Sequence, residues 1–557
     1  MRIQRSLKLF AKNKMSKFNY IRNNTFIITS DQDWSNIKEC LYGYQFKLND
    51  NDKLNKNFNN GHYVHVKKDD KIVSIEVDNS GMGMIFECKT KDFYAYSNSF
   101  VRLVESVKNR VNLTINEDFQ EIYSNVHDIT TPSYKQTIFN EITLLPSNII
   151  VNFDLRTHGV FYSEKKYQNY IALGTEESYD FIDSWAKYWI QAIRILVKSN
   201  MNINLQLSGG FDSRLILGLF IASGIDFKLI NIESSNRMEE DFEIANQIAK
   251  YYNFKLNSGL IKSFERYEIG DEYKNLMNTF YRFGLHKQFL PGPHYFHYRA
   301  PLFVFSGYGN MRGWYNASHK NYINHVISKK IKSVNKNIEK NIHRILTKSF
   351  NEIYYDTNKE IPLGGNFINY AYNFTRGRYN YGSGVMAMAG MNQYICAPIL
   401  DLEKIKPISS LNDDYNLLFA YIYCLLDEDL LKFRFNNNRS IDEKTINLAR
   451  LLAKKHKINL EDADHSLNVN FQDNVYGDYK STIKNIDIFD HLRSFIYQSL
   501  KNKENLREEY GEEYVSQILA ELSNKKLKWR EINPLGLALS LYAKDATTDK
   551  LITYLDI

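Results

Sequence analysis

Cysteine is nearly absent. Cys40, Cys88, Cys396 and Cys424 are the four among 557 residues, and none is spaced as a CxxC pair, so neither a disulfide framework nor a cysteine-built metal or redox centre is implied. Long apolar runs are missing too: no stretch approaches the roughly 18 unbroken apolar residues of a membrane span. The basic start from Met1 to Tyr20 lacks the apolar centre of a secretory leader. These absences make a cytoplasmic location the expectation. Charge of one sign is not in great excess either, since 71 Lys plus Arg against 64 Asp plus Glu leaves +7. That is too small over this length to point to nucleic acid. The chain has no internal repeat and no low-complexity linker.

What is present is the composition of an ordinary globular chain, 43% hydrophobic and 24% charged, long enough for two or three domains. Up to about residue 165 it reads as short strands, among them Tyr63 to Val66, Ile72 to Val77 and Asn148 to Phe153, separated by polar turns. From Tyr179 to Lys198 the apolar residues Phe181, Ile182, Trp185, Trp189, Ile190, Ile193 and Leu196 recur at helical spacing. The pattern then changes to apolar strand, turn, helix, apolar strand, which predicts parallel βαβ units with a sheet covered on both faces. A domain boundary is expected near residues 160 to 180. Ile323 to Ile353 is long, lysine-rich and expected to be helical, and the tail from about residue 465 reads as helical.

The strand pattern Ile203 to Leu207 runs into Ser208-Gly209-Gly210-Phe211-Asp212-Ser213-Arg214, and a helix follows, with Gly224 placed as its C-terminal cap. A second strand is expected over Phe227 to Ile232. Two adjacent glycines can take positive φ and bring backbone close to an anion, while the free N–H groups and dipole of the helix start attract phosphate. Ser208 and Ser213 can add hydroxyl donors. Asp212 suits the magnesium ion that accompanies ATP; a tight turn with Asp212 as helix N-cap is the plainer alternative. The loop is not a Walker A motif, and no GxGxxG turn is present.

LSGGFDSR is similar to the SGGxDS pyrophosphate-binding loop of the PP-loop ATP pyrophosphatases, and within them the chain most resembles the asparagine synthetase type, with its beta-lactam synthetase and lasso-peptide cyclase relatives. Thr137 to Phe153 resembles the end of that family's amidotransferase-like domain. Asp241, Ala245 and Ala249 match its next helix, Pro301 to Tyr315 stands in place of its second glycine-rich loop, Ala397 to Asp401 resembles its R-PFLD segment, and Leu430 to Arg439 resembles the basic stretch behind that.

The resemblance implies an α/β chain in three parts: residues 1–165 as a degenerate glutamine amidotransferase-like β-sandwich domain of the N-terminal-nucleophile type, 166–465 as a parallel-sheet PP-loop domain, and 466–557 as a helical extension. It implies an ATP-dependent, AMP-forming ligase that activates a small-molecule or peptide carboxylate as an acyl-adenylate, which ammonia or an amine captures. The backbone of Ser208, Gly209 and Gly210 with the Ser213 hydroxyl would hold pyrophosphate, Asp212 magnesium, Leu207 and Ile232 would flank adenine, and Gly307 would open the second loop against the nucleotide. Lys432 and Arg439, with Arg434 beside them, stand where the family carries a base or a transition-state cation.

Two departures qualify this. Position 2 is Arg2 rather than the family's nucleophilic cysteine, so glutamine hydrolysis is not expected. The second loop, Gly307 to Gly313, contains Asn310 and Arg312 but no carboxylate. A catalytically degenerate nucleotide-binding or partner-binding subunit is therefore the rival expectation. A PP-loop RNA-modifying enzyme is disfavoured by the missing cysteine pair and basic-aromatic patch. Arg214 could contact phosphate or face solvent. His294 and His297 could suggest a metal pair, but no third ligand accompanies them.

Overall fold

Strict alternation builds the first part of the chain: in Ile72–Val77, Val73, Ile75 and Val77 are buried and the residues between them are not. The computed structural model describes residues 25–48, 61–126, 134–165, 171–234, 239–258, 300–308, 319–330, 336–356, 377–402, 415–456, 467–471 and 512–524, with a few isolated residues between them. One antiparallel sheet joins β1 (Ile28–Thr29), β6 (Tyr94–Ser97), β5 (Phe86–Lys89) and β7 (Ile142–Leu144) in that order. A second, six-stranded and also antiparallel, runs Leu467–Phe471, β2 (Cys40–Leu48), β3 (Gly61–Lys68), β4 (Ile72–Val77), β8 (Ile149–Asp154), β9 (Val160–Glu164). Val64, Val73, Ile75 and Phe153 of the larger sheet share one apolar core with Phe86, Tyr96 and Leu144 of the smaller. Each such side chain contributes roughly 1.5–3 kcal/mol by leaving water.

Among the described residues of the C-terminal region, Glu512–Ser523 is helical as expected, and one stretch departs from the helical expectation. Leu467–Phe471 is a strand, paired from Leu467↔Leu48 to Phe471↔Tyr44 along the edge of the first sheet-rich unit. Val515, Ile518 and Leu522 of the helix Glu512–Ser523 lie in the same core. LNVNF is too short and polar to stand out as a strand without its partner β2.

The second unit is a five-stranded parallel sheet. Its order is β12 (Asn257–Ser258), β11 (Asn231–Ser234), β10 (Asn202–Gln206), β13 (Leu302–Phe305), β14 (Gln393–Cys396). Every neighbouring pair is parallel, as the apolar strand and helix alternation predicts. Strand β11 begins at Asn231 rather than Phe227, because Asp226 accepts the Lys228 amide at 2.9 Å and caps a 3-10 turn over Phe227–Leu229. An apolar run alone could not separate turn from strand.

After α1 (Phe100–Val107), α2 (Glu117–Asn125) and α3 (Glu176–Lys198), two helices cover the apolar face, α4 (Phe211–Ser223) and α5 (Glu239–Tyr251). The long helix Glu176–Lys198 packs with them, its start capped by Thr175 and its predicted face buried. Trp185 Nε1 donates to Pro398 O at 2.9 Å and Trp189 Nε1 to Asp401 Oδ2 at 2.6 Å, so this helix fixes the Ala397 to Asp401 segment. The described residues of 323–353 are helical, in His319–Lys330 and Lys336–Asp356, as the pattern predicts. The two units meet through aromatics: Tyr44 Oη donates to Ile395 O at 2.6 Å, and Tyr44 and Phe46 pack on Phe303.

Candidate functional site

Numbered by chain order within the parallel sheet, the strands run third, second, first, fourth, fifth, so the order reverses between β10 and β13. In open α/β sheets the crevice outside the strand C-termini at such a reversal is where ligands bind. Ser208–Ser213 leaves the end of β10 and Ser306–Gly307 leaves the end of β13, so the two segments picked out in the sequence flank that crevice.

Gly307 is fitted tightly there. A Cβ on it would lie 2.8 Å from Ser213 N and 2.9 Å from Asp212 Cβ, which are parts of the first turn of α4 that cannot give way. Gly209 is also closely approached, with a Cβ there 2.8 Å from Ile244 Cδ1 and 2.9 Å from Asp241 Oδ1. Neither Gly209 nor Gly210 takes positive φ, contrary to expectation. Their use is room for neighbours rather than an unusual backbone. Gly210 is the N-cap of α4 without a side-chain bond, and Asp212 lies in the first helical turn, so Asp212 is not the cap. A carboxylate there is favoured by the helix dipole. Gly224 ends the helix at φ +67°, as its position predicts.

The loop amides are held by the chain's own side chains. Ser208 N donates to Ser213 Oγ at 3.0 Å, the two seryl oxygens are 2.8 Å apart, and Gly210 N donates to Ser208 Oγ at 3.2 Å. Gly209 N donates to Asp241 Oδ1 at 3.0 Å, and the same oxygen accepts Asn436 Nδ2 at 2.7 Å. Asn436 N in turn donates to Gly209 O at 3.1 Å. A carboxylate and an amide thus close a ring on the glycine pair, an arrangement a phosphate oxygen could enter by exchange with Asp241.

Beneath the loop lies Arg214, which neither contacts solvent nor points into the crevice. It is fully buried, donates to the carbonyls of Phe433 at 2.8 Å, Arg434 at 2.7 Å, Leu430 at 3.2 Å and Gly209 at 3.4 Å, and stacks 3.8 Å over Phe435. Burial draws its pKa down to about 10. Phe435 also stacks on Phe211 at 3.6 Å. Above, Arg434 pairs with Glu240 and Glu243, both at 2.9 Å. Residues 430–437 therefore form a strap tied across the loop from both sides.

The two cations expected to serve chemistry part company. Arg439 donates to Asn436 O and Asn436 Oδ1 and lies 5.3 Å over the Phe211 ring, on the loop side of the strap. Lys432 is exposed and paired with Asp429 at 2.6 Å and Tyr251 Oη at 3.1 Å; these partners raise its pKa, the Asp429 hydrogen bond foremost. Leu207 and Ile232 are buried under the strand ends. Arg2, His294, Asn310 and Arg312 lie outside the described residues, and His297 stands on a two-residue strand paired with Arg266–Tyr267. Burial pushes the Cys88 and Cys396 thiols up to about 12, leaving both poor nucleophiles at neutral pH.

Asn436 carried no signal of its own in the sequence, and nothing there pointed to the contact of Asp241 with Gly209. Their importance lies in contacts to Gly209 across long stretches of chain. Among the described residues no three His, Cys, Asp or Glu side chains come together as a metal site, and no helix is long and apolar enough to cross a membrane. No family model and no curated protein matches the chain.

Proposed function

We propose that this chain is an ATP-dependent carbon–nitrogen ligase of the asparagine synthetase type, releasing AMP and pyrophosphate. The observation that carries the reading is the position of the SGGFDS loop at the strand-order reversal, with Gly307 backed onto its Asp212 and Ser213. The residues fit such a ligand. The loop is lined by amides and seryl hydroxyls, and both glycines that border it lie where a Cβ would collide. Magnesium commonly binds one or two carboxylates and takes its remaining ligands from phosphates and water. Asp212 alone suits that mode, and the ion would neutralise phosphate charge.

In this reading the Ser208–Gly210 amides and the Ser213 hydroxyl orient the pyrophosphate part of ATP, with Gly209 N–H passing from Asp241 to a phosphate oxygen. Arg439, on the strap, supplies positive charge beside the loop. A carboxylate substrate attacks the α-phosphorus, its oxygen forming the new bond as pyrophosphate leaves, and an amine or ammonia then displaces AMP from the acyl-adenylate. Most of the acceleration comes from positioning and charge neutralisation.

A second reading, a nucleotide-binding or partner-binding subunit without turnover, is favoured by one observation: Asp241 already fills the Gly209 amide. Pyrophosphate release measured over a pool of carboxylates and amines separates the two. Carboxylate-dependent release that Asp212→Ala abolishes supports the ligase. ATP binding with no release under any pool supports the subunit.

A further inference from the structure

Central strands of parallel sheets are ordinarily apolar on both faces. Here one face of β10, β11 and β12 carries amides and an acid instead. Asn231 Nδ2 donates to Asn204 Oδ1 at 2.7 Å, and Asn257 Nδ2 donates to Asn231 Oδ1 at 2.5 Å, with Asn204 1% and Asn231 8% exposed. Above this row, toward the strand C-termini, Gln206 Nε2 donates to Glu233 Oε1 at 3.3 Å, and the Asn204 amide lies near enough to favour the ionised acid. Because Asn204 uses its oxygen for Asn231, its amide N–H groups are turned to the acid. The ladder thus orients one carboxylate at the end of the second strand, next to the strand that feeds the SGGFDS loop.

We propose that Glu233 accepts a hydrogen bond from the nucleoside part of the bound nucleotide, from a ribose hydroxyl or the purine 6-amino group, and so sets nucleotide preference. This rests on the nucleotide reading above and adds the residue that would recognise the nucleoside. Three features carry it. Gly307 is packed against the first turn of α4 on the β13 side, so with phosphates on the loop at the crevice the attached nucleoside extends toward β11. In dinucleotide-binding doubly wound sheets an acid about 20 residues beyond the glycine-rich turn accepts a ribose hydroxyl, and Glu233, although no GxGxxG turn precedes it, has the corresponding place at the end of the second strand. A carboxylate has about four lone-pair positions, and the two amides that hold Glu233 approach from the sheet. Burial raises its pKa despite those two amides, so a further donor is well rewarded.

The test is calorimetric titration of the full chain, wild type and Glu233→Gln, with magnesium pyrophosphate, ATP, 2′-deoxyATP, 3′-deoxyATP and ITP. Wild type should bind ATP about ten-fold more tightly than the analogue lacking the contacted donor: a deoxy-ATP if the contact is to ribose, ITP if it is to the base. Glu233→Gln should lose that preference and bind ATP about ten-fold more weakly, while pyrophosphate affinity stays at the wild-type value. Unchanged ATP affinity in the variant, equal binding of all four nucleotides by wild type, or parallel loss of ATP and pyrophosphate would overturn the assignment while leaving the loop's role intact. Wild type that binds neither ATP nor pyrophosphate would overturn both.

Discussion

Arg214 places a full positive charge in the core, surrounded by backbone carbonyls and an aromatic face. Removing a buried partner leaves the others desolvated and unpaired, so Arg214→Met is expected to lower stability by about 3 kcal/mol, read as a lower urea midpoint. Arg214→Lys should recover little, because a single ammonium cannot reproduce a planar fork. Asp78 is the acidic counterpart. Burial pushes its pKa up, but His62 close by and the hydrogen bonds from Ser80 and the Gly83 amide outweigh that and hold it well below 3.8. A carboxylate depressed in the folded state contributes stability above its unfolded pKa and loses it as pH falls through the folded one. Asp78→Asn should therefore cost about 3 kcal/mol at pH 7, with the gap to wild type closing as unfolding is followed below pH about 4. Neither role was legible in the sequence. The SGGFDS loop was, because its donors are contiguous, whereas Arg214 finds carbonyls at Leu430, Phe433 and Arg434 only after folding.

At the scale of elements, the abutment of the β13 end on the α4 start governs the site. Gly307→Ala forces a Cβ against backbone, so it should weaken pyrophosphate and ATP binding at least ten-fold, a change of about 1.4 kcal/mol. Gly209→Ala meets the ends of Ile244 and Asp241 side chains, which can move, and should be milder in the same titration. Equal effects would mean that the Gly307 contact does not shape the loop. The helices and the order of the βαβ units were readable from apolar spacing. The start of β11 was not, since Asp226 diverts an apolar run into a turn. The Asn204 ladder was equally hidden, because polar residues alternating on a strand read as a solvated face until the neighbouring strands stand beside them.

Across the whole molecule, the chain's end returns to its beginning. Leu467–Phe471 supplies an edge strand to the six-stranded antiparallel sheet, and Glu512–Ser523 supplies apolar residues to the core beneath it. A chain ended at residue 456 should expose that core, and proteolysis of the first sheet-rich unit should quicken at least ten-fold as the opening equilibrium shifts. Such a return pairs residues more than 400 positions apart, beyond the reach of local pattern. The two units also share the aromatic contact of Tyr44 and Phe46 with Phe303, so damage to one is expected to reach the crevice of the other. The proposed chemistry is read most directly from the nucleotide products of the full chain, incubated with magnesium ATP and a pool of carboxylates and amines and resolved by chromatography. Carboxylate-dependent AMP in equal amount to pyrophosphate is the expected result; ADP with phosphate, or no nucleotide turnover under any pool, would contradict it.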